Sequence, residues 1–317
     1  MATRIYWLHA LTPTHTGVGR GVGYIDLPID RDAVTNWPLV RGSAFKGVWA
    51  DHHGATRDRR GENTEEGRLL RAAFGVSSDA VDNASNSGSL IPTDARLVCL
   101  PVRSFRGTFA WCTSGLALSM LRRTLILAGV AERELPPAPA VPDDRKILLP
   151  APPGTTVLTE NGSVYLEDLD FAAVPDADAG KWAAALAGWV FPGDVTWQGL
   201  FRTRFAVLPD VVFDFLTETG TEVQTRVRIS DETKTVARGA LWTEESLPAE
   251  TILAGVVVCD RVFGKDGTEV KAGDLLKRFA RDRDVDKPEL LLQIGGKATV
   301  GRGQVRCVFT DPKGGSK

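Results

Sequence analysis

Strand-like and helix-like segments follow one another along this chain of 317 residues without regular alternation. Apolar residues that alternate with polar ones predict strands, and those that recur with a helical period predict helices. The predicted strands are Thr3–Leu11, Leu97–Val102, Gly107–Thr113 and Gln304–Phe309, with a β-hairpin at Val223–Ile229 and Thr235–Thr243 around Asp231–Glu232. Helices are predicted to start after the N-caps Ser43, Thr64 and Ser114 and to lie near Lys181–Val190 and Asp274–Arg281. This order excludes a doubly wound parallel sheet and predicts an α+β fold.

Composition narrows the class of protein. A hydrophobic share of 43% with 25% charged residues is typical of a globular protein with a buried core, and excludes disordered and collagen-like chains. The most apolar stretch, Leu116–Ala131, is interrupted by Arg122 and Arg123 and falls short of the ~20 residues of a membrane span. The N-terminus lacks the pattern of a signal peptide. Four cysteines stand far apart without a CxxC pair, so we expect reduced, buried thiols in a cytoplasmic protein.

Charge is unevenly distributed although the formal net charge is only −2. Basic residues outnumber acidic ones seven to five in Arg41–Arg71, five to one in Ile91–Leu125 and three to none in Leu291–Val308. A protein with one positive and one negative face can bind a polyanion on one side and a protein neighbour on the other. The alternative is an ordinary mixed surface.

Two glycine-rich runs are candidates for contact with phosphate. The first places glycine at positions 17, 19, 21 and 23, a spacing that fits no dinucleotide or P-loop motif. The second, Ile294–Gly303, combines close-approach glycines with Lys297 and Arg302 and holds no acid, which suits a nucleic-acid backbone. The alternatives are a flexible hairpin for the first run and a tight turn with two solvated cations for the second.

His15 and Asp26 flank the first glycine run. A histidine and a carboxylate at the two ends of one loop can serve acid–base or metal-assisted phosphodiester chemistry. The alternative is a solvated histidine and a turn aspartate. The adjacent residues His52 and His53 do not share a helix face, so a metal pair is not expected there.

Seven sequence blocks occur in an order that resembles a known family. They are Leu11–Gly17, Ile25–Asp32, Gly42–Gly47, Thr93–Gly107, Thr225–Thr235, Gly239–Glu245 and Ile294–Gly303. Together they span nearly the whole chain. The chain is similar to the CRISPR-associated RAMP superfamily and, within it, to the backbone subunits of type III-B (Cmr) effector complexes.

The resemblance implies one RAMP domain over residues 1–317, with a ferredoxin-like, RRM-related palm. Insertions are expected around 54–90 and 135–175, and a β-hairpin thumb around 195–245. Such subunits stack head to tail along a guide RNA beside other Cmr subunits, and a heterologous contact of this kind gives a helical filament. They cut the paired target RNA at regular intervals, where the thumb interrupts the duplex.

The resemblance also implies roles for individual residues. Asp26 would be the catalytic carboxylate, which deprotonates the 2′-hydroxyl or holds a divalent metal ion, Mg or Mn. His15 and Glu244 would assist it, and Ser246 stands where some relatives have tyrosine. The expected RNA contacts are Gly17, Gly19, Arg41, Ser43, Lys46, Arg226, Arg228, Gly295, Gly296, Lys297 and Arg302.

Two other functions stay open from the sequence. In the first, the chain is a guide-RNA scaffold that does not cleave RNA, and Asp26 is a structural residue. Alternatively, it would be a RAMP nuclease that processes the guide precursor as a single subunit.

Overall fold

The computed structural model describes residues 1–19, 21, 23–56, 59–60, 63–76, 86–152, 156–230, 232, 234–262, 270–282 and 287–312. Its strands are β1 (Ala2–Ala10), β2 (Leu39–Val40), β3 (Gly75–Val76), β4 (Asn86–Ser87), β5 (Ile91–Pro92), β6 (Ala95–Ser104), β7 (Thr108–Ser114), β8 (Lys146–Pro150), β9 (Ser163–Leu166), β10 (Leu169–Asp176), β11 (Phe205–Leu208), β12 (Glu222–Ile229), β13 (Val236–Ser246), β14 (Ile252–Cys259), β15 (Glu289–Gln293) and β16 (Gln304–Thr310). Its α-helices are α1 (Gly42–His52), α2 (Glu65–Phe74), α3 (Gly115–Ala128), α4 (Ala177–Val190), α5 (Val195–Arg204), α6 (Asp210–Thr219) and α7 (Ala272–Phe279).

Twelve strands form one mixed sheet, in the order β15-β16-β1-β14-β6-β7-β11-β8-β10-β9, with β2 beside β6 and β5 beside β14. Strand β6 joins the two halves: its first residues pair with β14 and its last ones with β7. Pairing is antiparallel except between β7 and β11 and between β8 and β10. The sheet therefore confirms the α+β prediction.

Helices cover the sheet and close the hydrophobic core. Trp7 of β1 packs in a cluster with α3 and α4, where Trp111 and Trp182 are also fully buried. Its chain neighbour Tyr6 lies on the opposite face of the strand and stacks on Phe45 of α1, with ring centroids 4.1 Å apart. Because successive strand residues point to opposite faces, β1 is buried on both sides and ties the two layers together.

Local capping signals confirm two predicted helix starts and correct a third. The hydroxyls of Thr64 and Ser114 accept backbone N–H groups of α2 and α3 at 3.0 and 3.2 Å. The prediction that Ser43 caps α1 is wrong: Ser43 lies inside the first turn, and Arg41 occupies the N-cap position without a side-chain cap. The carboxylate of Asp94 caps the helix instead, because its Oδ1 accepts a hydrogen bond from Gly42 N at 2.8 Å.

Several elements escaped prediction because their patterns are not local. Strand β14 is a continuous apolar run, buried on both faces and without alternation. The insertion expected around 135–175 contains β8, an interior strand between β11 and β10. Helices α5 and α6 were also missed. The insertion expected around 54–90 includes residues 57–58, 61–62 and 77–85, which lie outside the described residues.

Strands β12 and β13 form a separate two-stranded sheet, which confirms the predicted hairpin; Asp231 in its expected turn lies outside the described residues. Val227 and Leu241 face each other across it and are 45% and 64% exposed. A two-stranded ribbon is marginally stable on its own, so its contacts with the rest of the protein must hold it.

All four cysteines are free and buried, as expected. Within the part of the chain that the structure describes, no helix is long and apolar enough to cross a membrane.

Candidate nucleic-acid interface and cleavage site

The last four residues of β13, Thr243–Ser246, form what we call the hairpin base. Side chains alternate between the two faces of a strand, so this short segment reaches several neighbours at once. Asp26, His15, Lys297 and Arg302 are far apart in sequence, yet each contacts the hairpin base directly. The structure therefore brings the two glycine-rich runs and the hairpin to one place.

Asp26 is exposed and is held by Thr243. The backbone N–H of Thr243 donates to Asp26 Oδ2 at 2.8 Å, and the Thr243 hydroxyl lies 3.0 Å from the same oxygen and from Tyr24 O. In return, Asp26 N donates to Thr243 Oγ1 at 3.0 Å. The backbone and side-chain hydrogen bonds from Thr243 lower the pKa of Asp26, because they favour the ionised form. No donor among the described residues contacts Oδ1, which leaves one carboxylate oxygen for a ligand.

His15 is 8% exposed and has a defined tautomer. Its Nδ1 lies 2.6 Å from the carbonyl oxygen of Glu245, so Nδ1 carries a hydrogen and donates it. Nε2 is then the ring nitrogen that remains for acid–base work. A Cβ on Gly17 would lie 2.7 Å from Nε2, so this position requires glycine.

The second glycine-rich run packs against the same histidine. Gly296 N donates to His15 O at 3.0 Å, and a Cβ on Gly295 would lie 2.1 Å from that oxygen. Gly295 thus allows the second run to approach the first. Gly19 differs, because it is exposed, has a φ of +75° and has no atom within 4 Å of the Cβ position.

Glu244 is buried, and both of its oxygens face cations. Oε1 accepts from Trp242 Nε1 at 2.6 Å and lies 2.8 Å from Lys297 Nζ, while Oε2 lies 3.5 Å from Arg226 Nε. Burial alone would raise the pKa of Glu244, but the hydrogen bonds from Lys297 and Trp242 and the charges of Lys297 and Arg226 lower it. In this structure Glu244 is an ionised partner of two cations.

Replacement of Glu244 with glutamine tests this role. Glu244→Gln keeps an acceptor for Trp242 but leaves two cations without their counter-ion, so we expect a loss of about 1–3 kcal/mol in unfolding free energy at pH 7. Because the folded-state pKa is lowered, the stabilisation exists above the unfolded pKa of about 4.3 and is lost as pH falls through the folded-state value. Urea unfolding from pH 7 to pH 3 should therefore show the wild type and the variant converging.

The matched control is Glu66→Gln, which breaks the surface ion pair with Arg278 at 2.5 Å. An exposed pair of this kind contributes about 0–1 kcal/mol. Equal losses in both variants would contradict a special role for Glu244.

The other predicted cations differ in exposure and in how many hydrogen-bond or ion-pair partners they have. Arg302 is 6% exposed, and its guanidinium donates to Ser246 Oγ and Gln224 Oε1, both at 2.6 Å, so it joins the two hairpin strands. Arg228 is exposed and lies two residues after Arg226 on β12. Among the described residues it has no ion-pair partner.

Around α1, Arg41 grips Asp30 with two hydrogen bonds of 2.6 and 2.8 Å and contacts Asp94 at 3.2 Å. The hydrogen bonds to Asp30 raise the pKa of Arg41 and hold it in place. Ser43 is exposed in the first turn of α1. Lys46 is partly buried, which lowers its pKa, and no described carboxylate pairs with it. An anion at this helix end would supply that missing partner.

Sequence reasoning missed Thr243 and Glu245 as site residues. Glu245 is 2% exposed and fixes the segment after Asp26: its oxygens accept from Arg31 NH2 at 2.6 Å and from Ile29 N at 3.0 Å. Both residues lie in the block Gly239–Glu245, but no spacing along the chain indicates which distant residues they contact.

Among the described residues, a divalent metal ion would find one protein ligand at this site, Asp26. Within the described residues, no group of three His, Cys, Asp or Glu side chains could hold a metal ion. Mg²⁺ commonly binds through one or two carboxylates together with phosphate oxygens and waters. Asp26 Oδ1 fits that pattern if RNA supplies the remaining oxygens.

A mixed sheet that carries a protruding hairpin, with two glycine-rich runs at the hairpin base, matches an established family. The RAMP superfamily profile matches residues 7–306, and the chain belongs to this superfamily. It is 29% identical over 323 residues to the CRISPR system Cmr endoribonuclease Cmr4 of Pyrococcus furiosus, covering 98% of this chain and 97% of that protein. This similarity confirms the narrower resemblance as well.

Solved structures share the fold. Oligomeric Cmr4 from Pyrococcus furiosus superposes with a TM-score of 0.69 at 24% identity, over 98% of both chains. A chain of the type III-B Cmr-beta complex bound to cognate target RNA superposes with a TM-score of 0.64 at 18% identity, over 98% of this chain and 97% of that one. The expected RAMP fold is therefore confirmed.

Proposed function

We propose that this chain is a backbone subunit of a type III-B CRISPR effector complex that binds guide RNA and cleaves the paired target RNA. The observation that carries the proposal is the exposed, ionised carboxylate of Asp26, which Thr243 ties to the same hairpin base that His15 contacts. The similarity to a full-length relative named as an endoribonuclease supports it. Copies of the chain stack head to tail along the guide beside other Cmr subunits, and hairpin β12–β13 is the thumb.

RNA carries its own nucleophile, so the protein needs few groups for the reaction. The 2′-hydroxyl oxygen bonds to the adjacent phosphorus, the bond from phosphorus to the 5′-oxygen breaks, and a cyclic phosphate and a 5′-hydroxyl remain. The exposed apolar residues of the thumb splay the backbone into an in-line arrangement, which lowers the barrier. Asp26 accepts the hydroxyl proton or holds a cation, and the leaving 5′-oxygen takes a proton either from Nε2 of a doubly protonated His15 or from water.

Asp26 would also be the ligand of a divalent metal ion, Mg or Mn. Oδ1 of Asp26 would hold it, and the bound ion would neutralise charge on the phosphate. Because this carboxylate is already ionised at neutral pH, it is ready to bind a cation without first losing a proton.

Guide RNA binds along the N-terminal part of α1, at Ser43 and Lys46, and along the side of the thumb that carries Arg228. Among the described residues, neither Lys46 nor Arg228 has an acidic partner, and Ser43 is exposed at the helix N-terminus. Gly19 lets a phosphate approach the backbone. Arg41, Arg226 and Lys297 already have acidic partners and contribute oriented donors rather than uncompensated charge. We place the assembly in the cytoplasm, where buried free thiols stay reduced.

A cleavage assay on the assembled complex tests the proposal. The complex is formed with guide RNA, and labelled complementary RNA is added with Mg²⁺ or with EDTA. We expect a ladder of evenly spaced products that disappears with EDTA. Target RNA that stays bound and intact would favour the non-catalytic scaffold. Cleavage of a repeat-containing precursor by the chain alone would favour the processing nuclease.

A further inference from the structure

Thr243 is the partner in every hydrogen bond that Asp26 makes with another residue of the described part of the chain. Thr243 donates its N–H to Oδ2 at 2.8 Å, places its hydroxyl 3.0 Å from the same oxygen, and accepts from Asp26 N at 3.0 Å. The backbone of Leu27 also donates to Thr243 O at 3.0 Å. The segment that carries the carboxylate is therefore attached to strand β13.

We propose that Thr243 is the positioning residue for the Asp26 carboxylate: it aims Oδ1 at the RNA and couples that oxygen to the thumb. This inference rests on the proposed function, because it assigns Thr243 a role only if Asp26 acts on RNA.

The geometry explains why a positioning residue is needed. The terminal torsion of an aspartate side chain is broad, so an exposed carboxylate without fixed donors rotates and presents either oxygen. The backbone N–H of Thr243 donates to Oδ2, and its hydroxyl shares one hydrogen between Oδ2 and Tyr24 O. Both contacts oppose this rotation and leave Oδ1 as the free oxygen. Groups that orient a reacting side chain in this way typically account for 10–100-fold in activity.

The coupling to the thumb follows from the position of Thr243. Its donors belong to β13, so the carboxylate moves with the hairpin. A displaced thumb would carry Asp26 away from the scissile phosphate. Cleavage then requires a seated thumb, which restricts cutting to the places where the duplex is interrupted.

The chain offers a matched control. Thr225 lies directly opposite Thr243 across the hairpin, is exposed, and makes no hydrogen bond to Asp26. Thr243→Val and Thr225→Val therefore make the same chemical change on the same face of the ribbon. Thr243→Ser keeps the hydroxyl and serves as the conservative variant.

Each variant is assembled with guide RNA, and the single-turnover cleavage rate at saturating target is measured together with target affinity. We expect Thr243→Val to cut about tenfold more slowly with unchanged affinity, since the backbone N–H bond remains. Thr243→Ser and Thr225→Val should cut like the wild type. If Thr243→Val fails to assemble, Thr243→Ala gives the same contrast.

Three results would overturn the inference: normal cleavage by Thr243→Val, equal rate losses in Thr243→Val and Thr225→Val, or a loss in Thr243→Val that serine does not restore. Asp26→Asn separates this from failure of the proposed function. If Asp26→Asn cleaves at the wild-type rate, the function assigned to Asp26 itself is wrong. Loss of cleavage in Asp26→Asn with normal cleavage in Thr243→Val would remove only the role of Thr243.

Discussion

Asp26→Asn is expected to slow target cleavage by about 10²–10⁴-fold while guide and target RNA stay bound. Asparagine has the shape of aspartate, and its amide oxygen can still accept from Thr243 N. It lacks the negative charge, so it can neither take up the hydroxyl proton nor attract a cation. The single-turnover rate of the assembled complex measures the loss, and a filter-binding titration measures target affinity.

The control for this substitution is Asp178→Asn, which removes an acid on the surface of α4 that pairs with Lys181. It should cut like the wild type. If Asp26→Asn cuts as fast as Asp178→Asn, the scaffold alternative holds and Asp26 is a structural residue. If Asp26→Asn loses target binding as well as cleavage, the carboxylate serves assembly rather than chemistry.

Gly295→Ala should cause a large loss of stability in the second glycine-rich run. The added Cβ would lie 2.1 Å from the carbonyl oxygen of His15, and the residue has a φ of +82°, which side chains rarely adopt. Both effects act on backbone that cannot move without separating the two runs. We expect the unfolding free energy to fall by about 2–5 kcal/mol, measured by urea denaturation.

The next residue gives the control. A Cβ on Gly296 would have its nearest contact at 3.7 Å, an ordinary van der Waals distance, and the hydrogen bond from Gly296 N to His15 O would remain. Gly296→Ala should therefore stay within about 1 kcal/mol of the wild type. Equal destabilisation by both substitutions would show that His15 does not set the requirement for glycine. A loss of RNA affinity in the stable variant Gly296→Ala would support the predicted RNA contact.

Local signals in the sequence predicted those elements whose ends or faces are set by neighbouring residues. Thr64 and Ser114 cap their helices with their own hydroxyls, and Gly129 ends α3 in the left-handed conformation. By contrast, α1 is capped by Asp94, which lies 52 positions away, so Ser43 was the wrong choice.

The candidate site divides in the same way. Asp26, His15 and Glu244 stand in blocks that resemble a family, and this resemblance placed them together without any contact being known. The sequence did not indicate the contact partners of the predicted site residues. In the structure, Glu244 pairs with Lys297 and Arg226, and Arg302 is buried against Ser246 and Gln224.

The sequence by itself determined the fold class, the family, the hairpin and the residues at which chemistry is expected, because periodicity, caps and ordered motifs are properties of neighbouring residues. Only the tertiary structure decided which oxygen of Asp26 is free, which nitrogen of His15 is available and which cations already have acidic partners. Hydrogen bonds and ion pairs form between groups that meet in space, and the hairpin base brings together residues more than 200 positions apart.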